Sequence, residues 1–184
     1  QGQQVSAVPH ALLVRAPAAA PAPSFSDEAL ADLSVASPLA GTVVPLEQVK
    51  DESFAKCMLG PGIGIEPADG LVVAPFDGTV TVAFPTGHAY GLKSASGVQV
   101  LIHVGMDTVK LDGKGFTPRV AKGDVVRRGD VLAEVDLDVI REAGYETITP
   151  VVVTNKKKLG AVTPVASGEI QRGDALLDVA PKEA

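Results

Sequence analysis

Tryptophan is absent from this chain of 184 residues, which has one cysteine, Cys57, two tyrosines and five phenylalanines. A single cysteine excludes an internal disulfide and suits a reducing compartment. With no second thiol or visible base beside it, Cys57 is expected to be a small buried hydrophobe. No apolar run reaches the roughly 18 residues that a membrane-spanning helix needs. The opening QGQQVSAVPHALLVRA lacks a basic start followed by a long apolar core, so no secretory signal is visible. The chain begins with Gln, which suggests a piece of something longer. Positive charge is also in deficit, with 16 basic against 22 acidic side chains and a net charge of −6. That balance argues against nucleic acid or an anionic lipid surface as partner and favours a basic protein surface.

What the chain has is glycine, 19 residues, and proline, 14, spaced between short Val-rich runs. The pattern predicts an all-β domain with many turns, a sandwich or barrel. Strands are expected at 41–46, 62–66, 71–74, 78–84, 90–94, 98–104, 108–111, 131–135, 147–154 and 175–179. Short helices are expected at 52–58 and 137–143, the second stopped by Gly144, and one acidic turn at 27–32 capped by Ser26. Two echoes suggest related halves: SPLAGTVVP with APFDGTVTV, and KGDVVRRGDVLAEV with SGEIQRGDALLDV. RAPAAAPAPSFS is a semi-rigid Pro/Ala tract. The expected organisation is a remnant at 1–14, a linker at 15–36, the main domain at 37–180 and a tail at 181–184.

Several candidate sites dissolve on inspection. GPGIG lacks the third glycine and the following helix of a dinucleotide loop, so it reads as a turn entering a strand. Lys156 to Lys158 read as a solvated loop or strand end, and His10 sits in the remnant.

His88 and His103 are different. HAYGLKSASGVQVLIHV reads as a hairpin with its turn at SASG. A two-residue loop of Ala95 and Ser96 would set Ser94 against Gly97 and His88 directly opposite His103, with Cβ atoms about 5 Å apart. Tyr90 and Leu101 would share that face, while Val98, Val100 and Ile102 would enter the core. A glycine bulge at Gly97 would slip this register by one. A lone histidine in an apolar strand is usually a hydrogen-bonded core or edge residue, but two converging on one spot point to chemistry. A stable metal site wants three or four ligands, and no third histidine is near. A neutral imidazole is nucleophilic near pH 7, and a second one beside it can hydrogen-bond phosphoryl oxygens.

LIHVGMDTVKLDGKGF, preceded by SPLAGTVVPLEQVKDESF and GTVTVAFPTGHAY and followed by GDVVRRGDVLAEVDLDVI and TPVVVTN, resembles the glucose-type enzyme IIA of the bacterial phosphoenolpyruvate-dependent sugar phosphotransferase system. The likeness runs from Ser37 to Val179. It implies an antiparallel β-sandwich with one or two short helices. It also implies a relay: His103 takes phosphate from phospho-HPr and passes it to a cysteine of a sugar-specific IIB domain. His88 would stabilise the phosphate, Thr86 orient His88, and the Gly105 carbonyl orient His103. Asp51 and Asp107 would meet a basic side chain of the donor, within a docking patch of Phe54, Phe84, Tyr90 and Leu101.

Pro85, Gly87 and Leu101 depart from the usual pattern and bear on partner preference. No cofactor is required, and a zinc ion shared between His88, His103 and a partner's carboxylate would bind weakly. The resemblance implies a cytoplasmic location, free or tethered through other domains, and nothing in the chain names the sugar. A second reading is a regulatory module that docks unphosphorylated onto permeases or metabolic kinases. A third, a lysostaphin-type zinc peptidase, lacks the ligand cluster and secretion route it needs.

Overall fold

The computed structural model describes residues 24–183. The expected remnant at 1–14 with His10, the first part of the expected linker, 15–23, and Ala184 lie outside the described residues. The strands among the described residues are β1 (Val35–Ala36), β2 (Gly41–Val44), β3 (Gly62–Pro67), β4 (Leu71–Val73), β5 (Gly78–Ala83), β6 (Ala89–Ser94), β7 (Gln99–His103), β8 (Phe116–Pro118), β9 (Val125–Val126), β10 (Val131–Val135), β11 (Thr149–Val153), β12 (Val162–Pro164), β13 (Glu169–Ile170) and β14 (Ala175–Val179). Three short helices punctuate them: α1 (Asp27–Ala31), α2 (Glu52–Ala55) and α3 (Leu137–Glu142).

All strand pairings described are antiparallel. One eight-stranded sheet runs β13-β2-β3-β11-β7-β6-β5-β9, and two three-stranded sheets run β1-β14-β12 and β4-β10-β8. Read from its two ends, the large sheet repeats itself, with β13, β2, β3 and β11 matching β9, β5, β6 and β7. The small sheets match in the same sense. The architecture is the expected antiparallel β-sandwich of two related halves, and β4 to β10 form one half inserted between β3 and β11 of the other.

The sequence echoes mark equivalent turns. Arg127 N donates to Asp130 Oδ2 at 2.8 Å, and Gln171 N to Asp174 Oδ2 at 2.9 Å. Each Asp N also donates back to the first carbonyl of the turn, Arg127 O or Gln171 O, and these β-turns deliver β10 and β14 in the same way in each half.

The seam between the halves is the β11–β7 pair, with Val151 opposite Ile102 and Val152 opposite Leu101. Alternation divides its side chains between two cores. Val151, Val153, Val100 and Ile102 enter the main core between the sheets, with Leu132, Leu176 and Leu177. Val152 and Leu101 face outward beneath a second cluster of Leu46, Val49, Phe54, Met106 and Ile148. Both faces of β11 are therefore covered, which explains its apolar run PVVV after Thr149.

The structure corrects four expectations here. Thr108–Leu111, expected as a strand, is a 3-10 turn bounded by Asp107 and Asp112, both left-handed at φ 60° and 54°. An extended run cannot enter or leave through such residues. Cys57, expected buried, is exposed with φ 57°, just past α2. The segment 24–36, expected as linker, includes α1, capped by the Ser26 hydroxyl as expected, and β1, whose Val35 pairs with Leu177 in β14. Ser96 ties it further by donating to Asp32 O at 2.6 Å.

The hairpin register is the fourth correction. Ala89, not His88, lies opposite His103, and Leu92 lies opposite Val100. Gly97 at φ 101° lengthens the turn to three residues, closed by Ser94 N donating to Val98 O at 2.8 Å. A non-glycine residue pays for that dihedral, so the glycine sets the register.

Candidate functional site

The one-residue slip carries Tyr90 to the core face opposite Ile102, where it is fully buried. Tyr90 is thus lost from the expected docking patch. Burial pushes its phenol up to about 12, and its hydroxyl finds no hydrogen-bond partner among the described residues. His103 keeps the outward face that it shares with Leu101, because alternation along β7 fixes it.

His88 reaches the same place by another route. It lies outside β6, after a turn closed by Gly87 N donating to Phe84 O at 2.8 Å. Strand alternation no longer governs it there. Its carbonyl still continues the ladder by accepting from Val104 N at 2.7 Å. The two imidazoles meet edge to face with ring centroids 5.0 Å apart. The expected juxtaposition is present, although the expected register is not.

Each ring is held at Nδ1. The Gly105 carbonyl lies 2.8 Å from His103 Nδ1. A carbonyl only accepts, so in neutral His103 Nδ1 carries the proton and Nε2 the free lone pair. Thr86 Oγ1 lies 2.6 Å from His88 Nδ1, a bond that either partner can donate.

The surrounding side chains form walls. Phe54 packs edge-on against His103 at 5.3 Å and Phe84 against His88 at 5.1 Å. Phe54 is buried on α2 in the second core cluster, so it backs the ring and does not offer the exposed contact expected of it. Phe84 is 41% exposed. Beside it a groove of about 250 Å³ is lined by Val82, Gly91, Leu101 and Thr154.

Asp51 and Asp107 are both exposed. Asp51 caps α2 by accepting from Ser53 N at 2.8 Å, and its charge also bears on His103. The expected acids and histidines are thus brought to one face.

Burial governs the titration of both rings. His88, 3% exposed, is pushed down to about 4, chiefly by burial and then by the neighbouring His103. Burial also lowers His103, against the Gly105 carbonyl and the charges of Asp51 and Asp107, which raise it. Both rings are therefore neutral at pH 7. Among the described residues no three metal-ligating side chains cluster, so a metal ion would have only these two imidazoles from this chain.

Sequence reasoning gave no role to Thr108, read only as the start of a strand. It is fully buried, and its hydroxyl donates to Val104 O at 2.6 Å. A polar β-branched residue straight after Asp107 was the available signal.

The chain is similar to known proteins over most of its length. The family model for the phosphoenolpyruvate-dependent sugar phosphotransferase system, EIIA 1, matches residues 33–159. The beta-glucoside-specific EIIBCA component of Dickeya chrysanthemi is 51% identical over 160 residues, covering 84% of this chain and 25% of that protein. The glucose-specific EIIA component of Halalkalibacterium halodurans is 45% identical over 141 residues, covering 77% of this chain and 82% of that one. The solved glucose permease IIA from Mycoplasma capricolum superposes with a TM-score of 0.70 at 39% identity, covering 79% of this chain and 94% of that one. The chain spans about a quarter of the length of the multicomponent relatives it matches.

Proposed function

The chain belongs to the EIIA 1 family of the phosphoenolpyruvate-dependent sugar phosphotransferase system, and from that premise we propose that it relays phosphate on His103. The observation that carries this reading is the His103 ring, pinned through Nδ1 to the Gly105 carbonyl and set against His88. In the first step the P–N bond of phospho-HPr breaks and a P–N bond to Nε2 of His103 forms. In the second that bond breaks and a P–S bond to a IIB cysteine thiolate forms. The Nδ1 proton stays in place through both. Phosphoimidazole is a high-energy linkage, so the protein supplies mainly position and charge stabilisation. A neutral His88 whose Nδ1 accepts from Thr86 presents Nε2–H to the phosphoryl oxygens.

Both partners would dock on the same face. Phe84 and Leu101 line its apolar part, while Asp51 and Asp107 meet a basic side chain of the donor. The relay needs no cofactor in this reading. A zinc ion would need a partner's carboxylate in addition to His88 and His103. We assign the domain to the cytoplasmic side, where it would meet phospho-HPr; among the described residues no helix is long and apolar enough to cross a membrane. Relatives described as EIIBCA components favour a tethered relay over a roaming regulator, because tethering raises the effective concentration of the acceptor.

Incubation with phosphoenolpyruvate, enzyme I and HPr is expected to give an acid-labile phosphoprotein. A His103→Gln variant that still becomes labelled overturns the assignment. His88→Gln is expected to accept phosphate but to pass it to a IIB domain at least tenfold more slowly, about 1.4 kcal/mol of lost stabilisation. Unchanged onward transfer would remove His88 from that role.

A further inference from the structure

We propose that Thr108 is the positioning residue that fixes which nitrogen of His103 reacts; the proposal rests on His103 being the phosphate carrier. One peptide unit, between Gly105 and Met106, steers the His103 ring. The Gly105 carbonyl accepts from His103 Nδ1–H, and the N–H of the same planar trans unit, on Met106, donates to Glu146 O at 3.0 Å. Rotating that plane would break both bonds at once.

Nothing in these two bonds stops the turn itself from shifting as a body. Thr108 supplies that restraint twice. Its hydroxyl donates to Val104 O at 2.6 Å and closes the turn, and Val104 N is already held by His88 O at 2.7 Å. Its methyl presses on Gly105, where an added Cβ would lie 2.6 Å from Thr108 Cγ2 and 2.8 Å from Glu146 O. Gly105 stands at φ 75°, so its freedom is needed for the conformation and has to be limited by neighbours. A fully buried hydroxyl spent on one carbonyl is a costly choice for filling space alone. It ties the segment carrying His88 and the carbonyl steering His103 into one frame.

Thr108→Val keeps the shape and removes the hydroxyl; Thr108→Ser keeps the hydroxyl and removes the methyl. Nitrogen-15 NMR of the whole chain reads the His103 tautomer without any phosphate. The parent and Thr108→Ser are expected to be dominated by the Nδ1–H form, and Thr108→Val to show a mixture of tautomers. The rate of phosphate acceptance from phospho-HPr is expected to fall roughly tenfold in Thr108→Val, the effect of leaving one buried carbonyl unpaired. Thr108→Ser is expected to stay within about threefold of the parent.

A folded Thr108→Val protein with lowered thermal stability but the parent's tautomer and rate overturns the proposal, since a purely structural residue behaves that way. If Thr108→Val does not fold, Thr108→Ala, which leaves room for water at the Val104 carbonyl, must show the same mixture. A mixed tautomer in the parent overturns the proposal without any substitution. Failure of the parent to take phosphate would instead overturn the carrier reading and leave the tautomer result standing.

Discussion

Burial makes the His88 imidazole hard to protonate, and the neighbouring His103 adds to the effect. His88, pushed down to about 4, binds a proton in the unfolded chain below pH 6.5 that the folded protein refuses until near pH 4. Stability contributed by neutral His88 is thus complete above pH 6.5 and is lost as pH falls from 6.5 to 4, by up to about 3 kcal/mol. Urea titrations at stepped pH should show this loss, and His88→Gln should abolish most of it. His103 is lowered as well, so the loss of phosphate acceptance on acidification should set in at a lower pH than for a free histidine, which is already losing its nucleophile near pH 6.5. A rate that halves at pH 6.5 would show that burial does not protect the ring.

Tyr90 tests the same physics with the sign reversed. Its hydroxyl is buried without a partner among the described residues, so Tyr90→Phe is expected to stabilise the fold by about 1 kcal/mol, read as a higher urea midpoint at unchanged slope.

At the scale of the element, α2 is four residues long and does two jobs. Its Phe54 backs the His103 ring, and its N-cap, Asp51, presents a charge to the same ring. Asn caps a helix about as well as Asp. Asp51→Asn should therefore keep the helix, lower the His103 pKa further and slow association with HPr, most at low salt. Asp51→Ala should show the same electrostatic change and lose about 1 kcal/mol of stability besides. Equal stability in the two variants would mean that the cap contributes nothing.

Elements of this kind differ in how plainly the chain announces them. β10 and β14 were legible to the residue, because each is a short Val/Leu-rich run that starts straight after a Gly-Asp turn. β1, β9 and β13 have two residues each, too few to show any period. The TVKL turn mimics a strand in composition, and only the backbone dihedrals at Asp107 and Asp112 reveal otherwise. The histidine pair was legible for an incomplete reason. Hairpin counting brought His88 and His103 together, but the three-residue turn at Gly97 moved the ladder and the bend at His88 moved the ring back. That compensation comes from tertiary packing, which no local pattern records. Tyr90 had no such compensation and changed face.

For the whole molecule, the doubling raises the question of whether two halves mean two folding units. The His88 and His103 hairpin belongs to the inserted half, whereas Phe54, Asp51 and Glu146 come from the other. The site therefore exists only when both halves are in place. Nothing between them resembles a linker boundary: the seam runs through the middle of the large sheet, and Val151, Val152 and Val153 are buried completely, between the sheets on one side and under α2 on the other. Separating the halves would expose a paired strand edge and two apolar faces at once.

Unfolding should accordingly be a single cooperative transition despite the repeat. The two tyrosines make the test direct, since Tyr90 lies in β6 of one half and Tyr145 packs against the main core just before β11 of the other. With isotope-labelled tyrosine, the two resonances should lose their native positions at the same urea concentration. Val151→Ala at the seam should shift both midpoints equally, by about 1 to 3 kcal/mol for a buried side chain truncated on a covered strand. Separate midpoints for Tyr90 and Tyr145 would instead mean that each half keeps its own stability, and that the two histidines can remain paired after the wall behind them has gone.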